Sequence, residues 1–202
     1  MTVALLAHTP AVPAPVSAVG EIDGATLRAA QGGDRQALER FIRHYERTVF
    51  AFLSRSLGHG PEIEDLAQEV FVRAYRALPR FEQRSEARVS TWLLQVAVHL
   101  VLDHRKKKRL QLEPLDEGRA GATLHTPEAL HHERDLVRTI ERAASELPDD
   151  QRIALVLADF HGLDMNEIAA ATNTPISTVK TRLFRAREQL KSAVEQMRRN
   201  EQ

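Results

Sequence analysis

Three stretches of this sequence combine charge and spacing in ways that suggest chemistry. Near the C-terminus the chain reads STVKTRLFRAREQLK, residues 177–191. Ile176, Val179, Leu183, Ala186 and Leu190 recur at spacings of three and four, which places them on one side of an α-helix. Ser177, Thr178, Thr181, Phe184, Arg185 and Glu188 then project on the opposite side, with Lys180, Arg182 and Arg187 on the flanks. Arginine pairs bidentately with guanine, and Phe or Thr touches a thymine methyl. Such a face suits the reading of base edges in a DNA groove. An ordinary solvated helix is the plainer alternative, and Phe184 folding back onto a neighbouring helix is the plainer account of its aromatic ring. A second stretch, HRKKKR at 104–109, holds five consecutive basic residues. Helix-dipole complementarity explains some of that charge, and phosphate contact explains more of it. The third stretch, PEIEDLAQE at 61–69, is acidic. Glu62 and Glu64 fit the start of a helix, whereas Glu69 lies two turns in, beyond the reach of that effect.

The residues before the first stretch supply the element that would present it. In GLDMNEIAAATNTP, residues 162–175, Asp164 and Glu167 form a capping-box pattern. A short helix from Asp164 to about Thr172 follows. Asn173 stands where the turn requires a left-handed backbone, and Pro175 separates this helix from the next. Helix, tight turn and basic helix make a helix-turn-helix pattern.

Helical periodicity recurs along the rest of the chain, and strand signals are nearly absent. Asp34 is placed to cap a helix bearing Leu38, Phe41, Ile42, Tyr45, Val49, Phe52 and Leu53, ended by Gly58 and Gly60. A helix after Pro61 buries Ile63, Leu66, Ala67, Val70, Ala74 and Leu78. After a polar loop, Ser90 or Thr91 is placed to cap an apolar helix that ends in the basic run and forms the centre of a first domain. Trp92 is read as part of its core. Residues 110–128 carry Pro114, Gly118, Gly121 and Pro127 and no helical stripe, as a linker would. A stripe at Leu136, Val137, Ile140, Ala144 and Leu147 opens a second domain, in which Asp149 or Asp150 caps the next helix. The fold class expected is all-α: two small helical domains joined by a flexible linker, the C-terminal one carrying the helix-turn-helix. The divisions are 1–25 as a disordered tail, 26–109, 110–128 as linker, 129–196, and a short tail at 197–202.

Composition narrows the function. Of 202 residues, 43% are hydrophobic and 28% charged, yet the formal net charge is zero. Nucleic-acid binding would therefore rest on segregated rather than overall charge. No cysteine is present, so a disulfide framework and thiolate metal sites are excluded. The chain has no apolar run of transmembrane length. No basic residue precedes the apolar N-terminal stretch, which argues against a signal peptide. His125, Glu128, His131 and His132 have metal-binding side chains, but they straddle the linker edge, where nothing fixes a geometry. No metal and no cofactor is expected.

Taken together, EDLAQEVFVRAYRAL (64–78), STWLLQVAVHLVLDHRKKKR (90–109) and LPDDQRIALVLADFHGLDMNEIAAATNTPISTVKTRLFRARE (147–188) resemble the extracytoplasmic-function (ECF) sigma factors of bacterial RNA polymerase. The resemblance covers residues 26–192. It departs from the family at Asn173, usually glycine, and at His99, often asparagine. It implies that Asp65, Gln68 and Glu69 bind the polymerase core. It also implies that the loop 81–89 captures a flipped −10 base, with Arg84, Arg88, His99, Arg105, Lys106, Lys107 and Lys108 along the −10 surface. The loop's own composition fits an ordinary surface connection equally. The −35 element would meet Thr178, Lys180, Thr181, Arg182, Phe184 and Arg185. The implied partners are the RNA polymerase core, promoter DNA and an anti-sigma factor. The implied protein is a cytoplasmic monomer when free, not an enzyme and not inserted in a membrane. A stand-alone helix-turn-helix regulator is the alternative. A metal hydrolase built on Glu64, Asp65 and the histidines would lack a positioned nucleophile or base.

Overall fold

The computed structural model describes residues 20–58, 60–82, 88–111 and 131–200. Within them the chain is helical: α1 (Gly24–Gln31), α2 (Arg35–Leu57), α3 (Glu62–Ala77), a 3₁₀ turn (Leu78–Arg80), α4 (Val89–Gln111), α5 (His131–Ser145), α6 (Asp149–Leu155), a π-helical turn (Val156–Phe160), α7 (Met165–Thr172) and α8 (Ile176–Asn200). No strand occurs among the described residues. The linker expected at 110–128 lies mostly outside them, apart from the last two residues of α4.

Helices α1 to α4 make the first domain. Asp34 caps α2 as expected, accepting from the Ala37 amide at 2.7 Å. The α2 stripe buries Phe41, Tyr45, Val49, Phe52 and Leu53, whereas Ile42 faces outward. Helix α4 is central: Val89, Leu93, Leu94, Ala97, Val98 and Val101 are all buried in it. Burial of each valine and leucine among them contributes roughly 1.5–3 kcal/mol. Trp92 is half-buried against this core, its ring centroid 4.7 Å from that of Phe81.

Several local expectations need correction. Ser90 and Thr91 do not cap α4, because the helix already begins at Val89. Asp149 and Asp150 lie in the first turn of α6 rather than at its N-cap, which is Pro148. The disordered tail does not extend to residues 20–25: Ile22 is buried, Asp23 caps α1 through the Thr26 amide, and Tyr45 donates to Glu21. Helix α8 also runs past residue 196, to Asn200.

The second domain packs α5 and α6 on α8, with α7 between α8 and the first domain. One apolar core runs through both domains, joining Phe52, Val98 and Val101 to Leu157, Ile168, Val179 and Leu183. Asp164 and Glu167 complete the capping box: Asp164 accepts from the Glu167 amide at 2.9 Å, and Glu167 accepts from the Asp164 amide at 2.9 Å. Asn173 follows α7 at φ 49°, ψ 47°, the left-handed turn its position demanded. A Cβ-bearing residue without a locally bonding side chain is strained there. Asn173→Ala should therefore lower stability by about 1 kcal/mol, while Asn173→Gly holds or raises it. Urea unfolding of the three forms checks this, and an alanine variant as stable as its parent would contradict it.

Candidate nucleic-acid and partner interface

The turn at Asn173 directs α8 so that its apolar stripe enters the core and the opposite face meets solvent. Val179, Leu183 and Ala186 are buried. Phe184 is 66% exposed, so it does not fold back onto a neighbour. Lys180, Thr181 and Arg185 are exposed beside it, and Thr178 is half-buried. Arg182 differs from them. Its Nε donates to Asp150 Oδ2 at 2.8 Å, which ties α8 to α6. Its neutralised, half-buried guanidinium serves the fold more directly than a ligand. Arg187 is likewise paired, with Asp159 at 2.6 Å.

On α3, Asp65 and Gln68 are exposed while Val70 is buried. Glu69 is half-buried and accepts from Arg73 Nε at 2.7 Å; Arg73 also reaches Asp103 on α4 at 3.5 Å. The structure therefore separates Asp65 and Gln68, free of ion pairs among the described residues, from Glu69, which is bound within the domain. Sequence reasoning missed Val72 and Tyr75, 41% and 55% exposed. With Asp65 and Gln68 they continue a three–four–three spacing, so one face carries acidic, amide and apolar groups. Exposed large apolar residues at that spacing suit a protein surface better than a phosphate backbone.

The basic run on α4 also divides. Lys106 and Lys107 are exposed without an ion pair among the described residues, and Lys108 lies 3.9 Å from Glu62. Arg105 turns inward. It meets Asp149 Oδ1 at 2.5 Å and donates to the Ser56 carbonyl at 2.6 Å. Arg152, buried in α6, donates to the same carbonyl at 3.3 Å, to Leu147 O at 3.0 Å and to Ser145 O. Its pKa is lowered by burial and then by Arg105, with Asp149 opposing. The carbonyl ends of α2 and α5 would otherwise lack partners. His99 is exposed on α4, and Arg84 lies outside the described residues.

Arg88, just before α4, is held by the other domain. Its Nη2 donates to Glu167 Oε1 and Oε2 at 2.9 and 3.0 Å, and its Nε lies 3.3 Å from Oε1. Thr91 donates to the same Oε1 at 2.9 Å, and Gln95 donates to the Ala170 carbonyl at 3.2 Å. Glu167 thus completes the capping box of α7 and clamps the start of α4. No sequence signal marks the second task, because capping already accounts for this glutamate.

His161 lies in the same contact between domains. It is 3% exposed, and its ring stacks edge-on against Phe52 of α2 at 5.9 Å between centroids. Its pKa is pushed down to about 4, chiefly by burial and then by Arg55. The Arg55 guanidinium sits 4.6 Å from the centre of the Phe160 ring. The unfolded chain takes up this proton near pH 6.5, and the folded chain near 4. Stability is therefore full above the upper value and falls as pH drops through that window, by up to about 1.4 kcal/mol per unit. Between pH 7.5 and 5, His161 should cost about 2 kcal/mol, and His161→Leu should flatten that part of the profile. Urea midpoints across pH test it; equal slopes in both proteins would sink the assignment.

Comparison with known proteins extends the geometry. A family model described as Sigma-70 region 2 matches residues 41–111, and one described as Sigma-70, region 4 matches residues 138–190. The RNA polymerase sigma-H factor of Pseudomonas aeruginosa is 31% identical over 189 residues, covering 89% of this chain and 97% of that one. The ECF RNA polymerase sigma-E factor of Escherichia coli K12 is 32% identical over 183 residues, covering 86% and 94%. Two solved structures share the fold. CnrH in complex with the cytosolic domain of CnrY has a TM-score of 0.58 at 20% identity, with 85% of this chain and 96% of that chain covered. The sigma factor RpoE in complex with the anti-sigma factor NepR from Bartonella quintana has 0.61 at 19% identity, with 78% and 96% covered.

Proposed function

The chain belongs to the sigma-70 family of RNA polymerase sigma factors, in its ECF class, and from that premise we propose how its surfaces divide the work of an alternative sigma factor in transcription initiation. The exposed face of α8 enters the major groove of the −35 element. Arg185 pairs with a guanine edge, Phe184 and Thr181 meet thymine methyls, and Lys180 contacts phosphate. Asp65 and Gln68 on α3 bind the polymerase core, where acidic and amide groups fit a protein partner with basic residues. Lys106 and Lys107, with Arg88 once released, hold the −10 strand, and the loop before α4 takes an extruded base into a pocket. Residues 26–109 and 129–196 carry these two sets. Phosphodiester chemistry belongs to the polymerase, so this chain is not itself an enzyme and works in the cytoplasm. An anti-sigma partner fits the reading, since the Bartonella quintana sigma factor RpoE was solved with the anti-sigma factor NepR bound.

The observation that carries the −35 assignment is Phe184. An aromatic ring 66% exposed on the outer face of α8, beside exposed Lys180, Thr181 and Arg185, offers the apolar contact that a thymine methyl in the groove would take. Run-off transcription with purified core tests the whole reading, and a stand-alone regulator would bind duplex without supporting initiation. Arg185→Ala should weaken −35 duplex binding by about 1–3 kcal/mol and relax preference at one base. A base-substitution profile identical to the parent's would remove Arg185 as a reader.

Domain contact has a direct consequence for this function. The two elements lie about 25 base pairs apart, about 85 Å of duplex at 3.4 Å per step. A globular chain of this length has a radius of gyration of about 17 Å, hence a diameter of roughly 45 Å. The closed arrangement therefore cannot reach both elements, and binding both requires the Arg88–Glu167 contact to part. Glu167→Gln keeps a capping acceptor while removing the charge. It should raise the free chain's affinity for a −10 single strand about twofold to fivefold, the equivalent of one partly exposed ion pair. Fluorescence anisotropy measures this, and an unchanged affinity would mean that the clamp does not compete with DNA.

A further inference from the structure

The described residues at both ends of the loop proposed to receive the −10 base are tied to one segment that precedes it. Its entry, at the 3₁₀ turn, is tied to α1: Gln31 Nε2 donates to the Leu78 carbonyl at 3.1 Å and to the Phe81 carbonyl at 2.6 Å. Its exit, at the start of α4, is tied to the residues just before α1. Glu21 Oε2 accepts from the Val89 amide at 2.9 Å, while Oε1 accepts from the Ser90 amide at 3.3 Å and the Ser90 hydroxyl at 2.5 Å. Both ties lead to one short segment, residues 20–31, which precedes the stretch matched by the region 2 model.

That segment is itself anchored. Ile22, Leu27 and Ala30 are buried in the core. Tyr45 of α2 donates to Glu21 Oε2 at 3.1 Å and accepts from the Ile22 amide at 3.2 Å. His44 Nε2 lies 2.5 Å from the Gly20 carbonyl. Helix α1 between the two ties is eight residues long, about 12 Å of rigid rod. Two hydrogen-bonding side chains at opposite ends of a short anchored rod fix the distance between the two ends of the loop.

We propose that residues 20–31 form a clasp that sets the span of the −10 loop, with Glu21 and Gln31 as positioning residues for −10 recognition. The proposal rests on the reading of that loop as the −10 reader. A pocket for an extruded base discriminates by hydrogen bonds to the base edge, and small misplacements of such groups are costly. Loosening either end therefore costs sequence discrimination before it costs overall affinity. A segment that only stabilised the first domain would, when weakened, reduce every activity of that domain together.

The test uses the full chain bound to core polymerase and a fork-junction DNA whose −10 strand is randomised. Sequencing the retained strands gives the enrichment of the best sequence over the pool median. Glu21→Gln and Gln31→Leu should each reduce that enrichment about tenfold, the factor carried by 1.4 kcal/mol. Core affinity and −35 duplex binding should stay at the parent's level. Circular dichroism controls for folding, and if one variant does not fold, the other carries the test from the opposite end of the loop. Undiminished enrichment in a folded variant would overturn the proposal, as would equal losses in enrichment and core affinity. A parent protein that enriches no −10 sequence would instead overturn the assignment of the loop.

Discussion

The start of α4 is the constraint around which the first domain is arranged. A helix exposes four backbone N–H groups at its N-terminus, and leaving such a group buried and unbonded costs about 1–3 kcal/mol. The Ser90 and Thr91 side chains lie inside the helix and cannot act as its N-cap. The acceptor for the first amides is Glu21, whose partner residues lie 68 and 69 positions along the chain. That necessity turns the end of a stretch read as a disordered tail into part of the fold. It also explains why a tyrosine hydroxyl is buried at this place: Tyr45 gives the glutamate a further donor and holds the adjoining backbone.

A second carboxylate meets the same helix end. Glu167 reaches Arg88 and Thr91 on either side of the amides that Glu21 occupies. Acidic groups at a helix N-terminus are favoured by its dipole, so both contacts follow from one electrostatic feature. At the far side of the domain contact the signs reverse: the carbonyl end of α2 takes donors from Arg105 and Arg152. The domains are thus held by cations on a helix C-terminus, by an anion at a helix N-terminus, and by apolar packing between. Exposed ion pairs contribute little singly; the continuous core beneath them contributes more, and the polar contacts set its register.

Much of this was legible in the sequence where the determinant is local. The stripe of α8, the capping box of α7, the left-handed turn at Asn173 and the Asp34 cap each depend on residues within a few positions of one another. Long-range pairing was not legible. Arg88, Arg105 and Arg182 resemble free cations in a linear reading, yet each has a carboxylate partner that only the tertiary fold brings near. Local pattern cannot distinguish a guanidinium awaiting phosphate from one already neutralised. Lys106 and Lys107 differ from these three: both are exposed, and neither has an ion pair among the described residues. The clasp at 20–31 was hidden for a different reason: its helix is only eight residues long, too short for periodicity to stand out after a proline-rich stretch.

The same pairing makes the two proposed DNA surfaces unequal in the closed chain. On α8, Lys180, Thr181, Phe184 and Arg185 are exposed, and no contact between domains must break before a groove is offered to them. On the other side, Arg88 and Thr91 are engaged by Glu167, and Arg105 by Asp149. On the proposed assignment, duplex binding at −35 can begin with the domains together, whereas full contact with a melted −10 strand requires their separation. Separation exposes the apolar surface around Phe52, Leu157 and Ile168, and that cost must be offset by whatever covers the surface or by the binding gained on each separated domain. The proposed polymerase contact on α3 lies outside the domain contact, since Asp65, Gln68 and Tyr75 are exposed in the closed chain. On the proposed assignment, core binding and −35 binding start from available faces, and the −10 surface is the one whose use is coupled to opening.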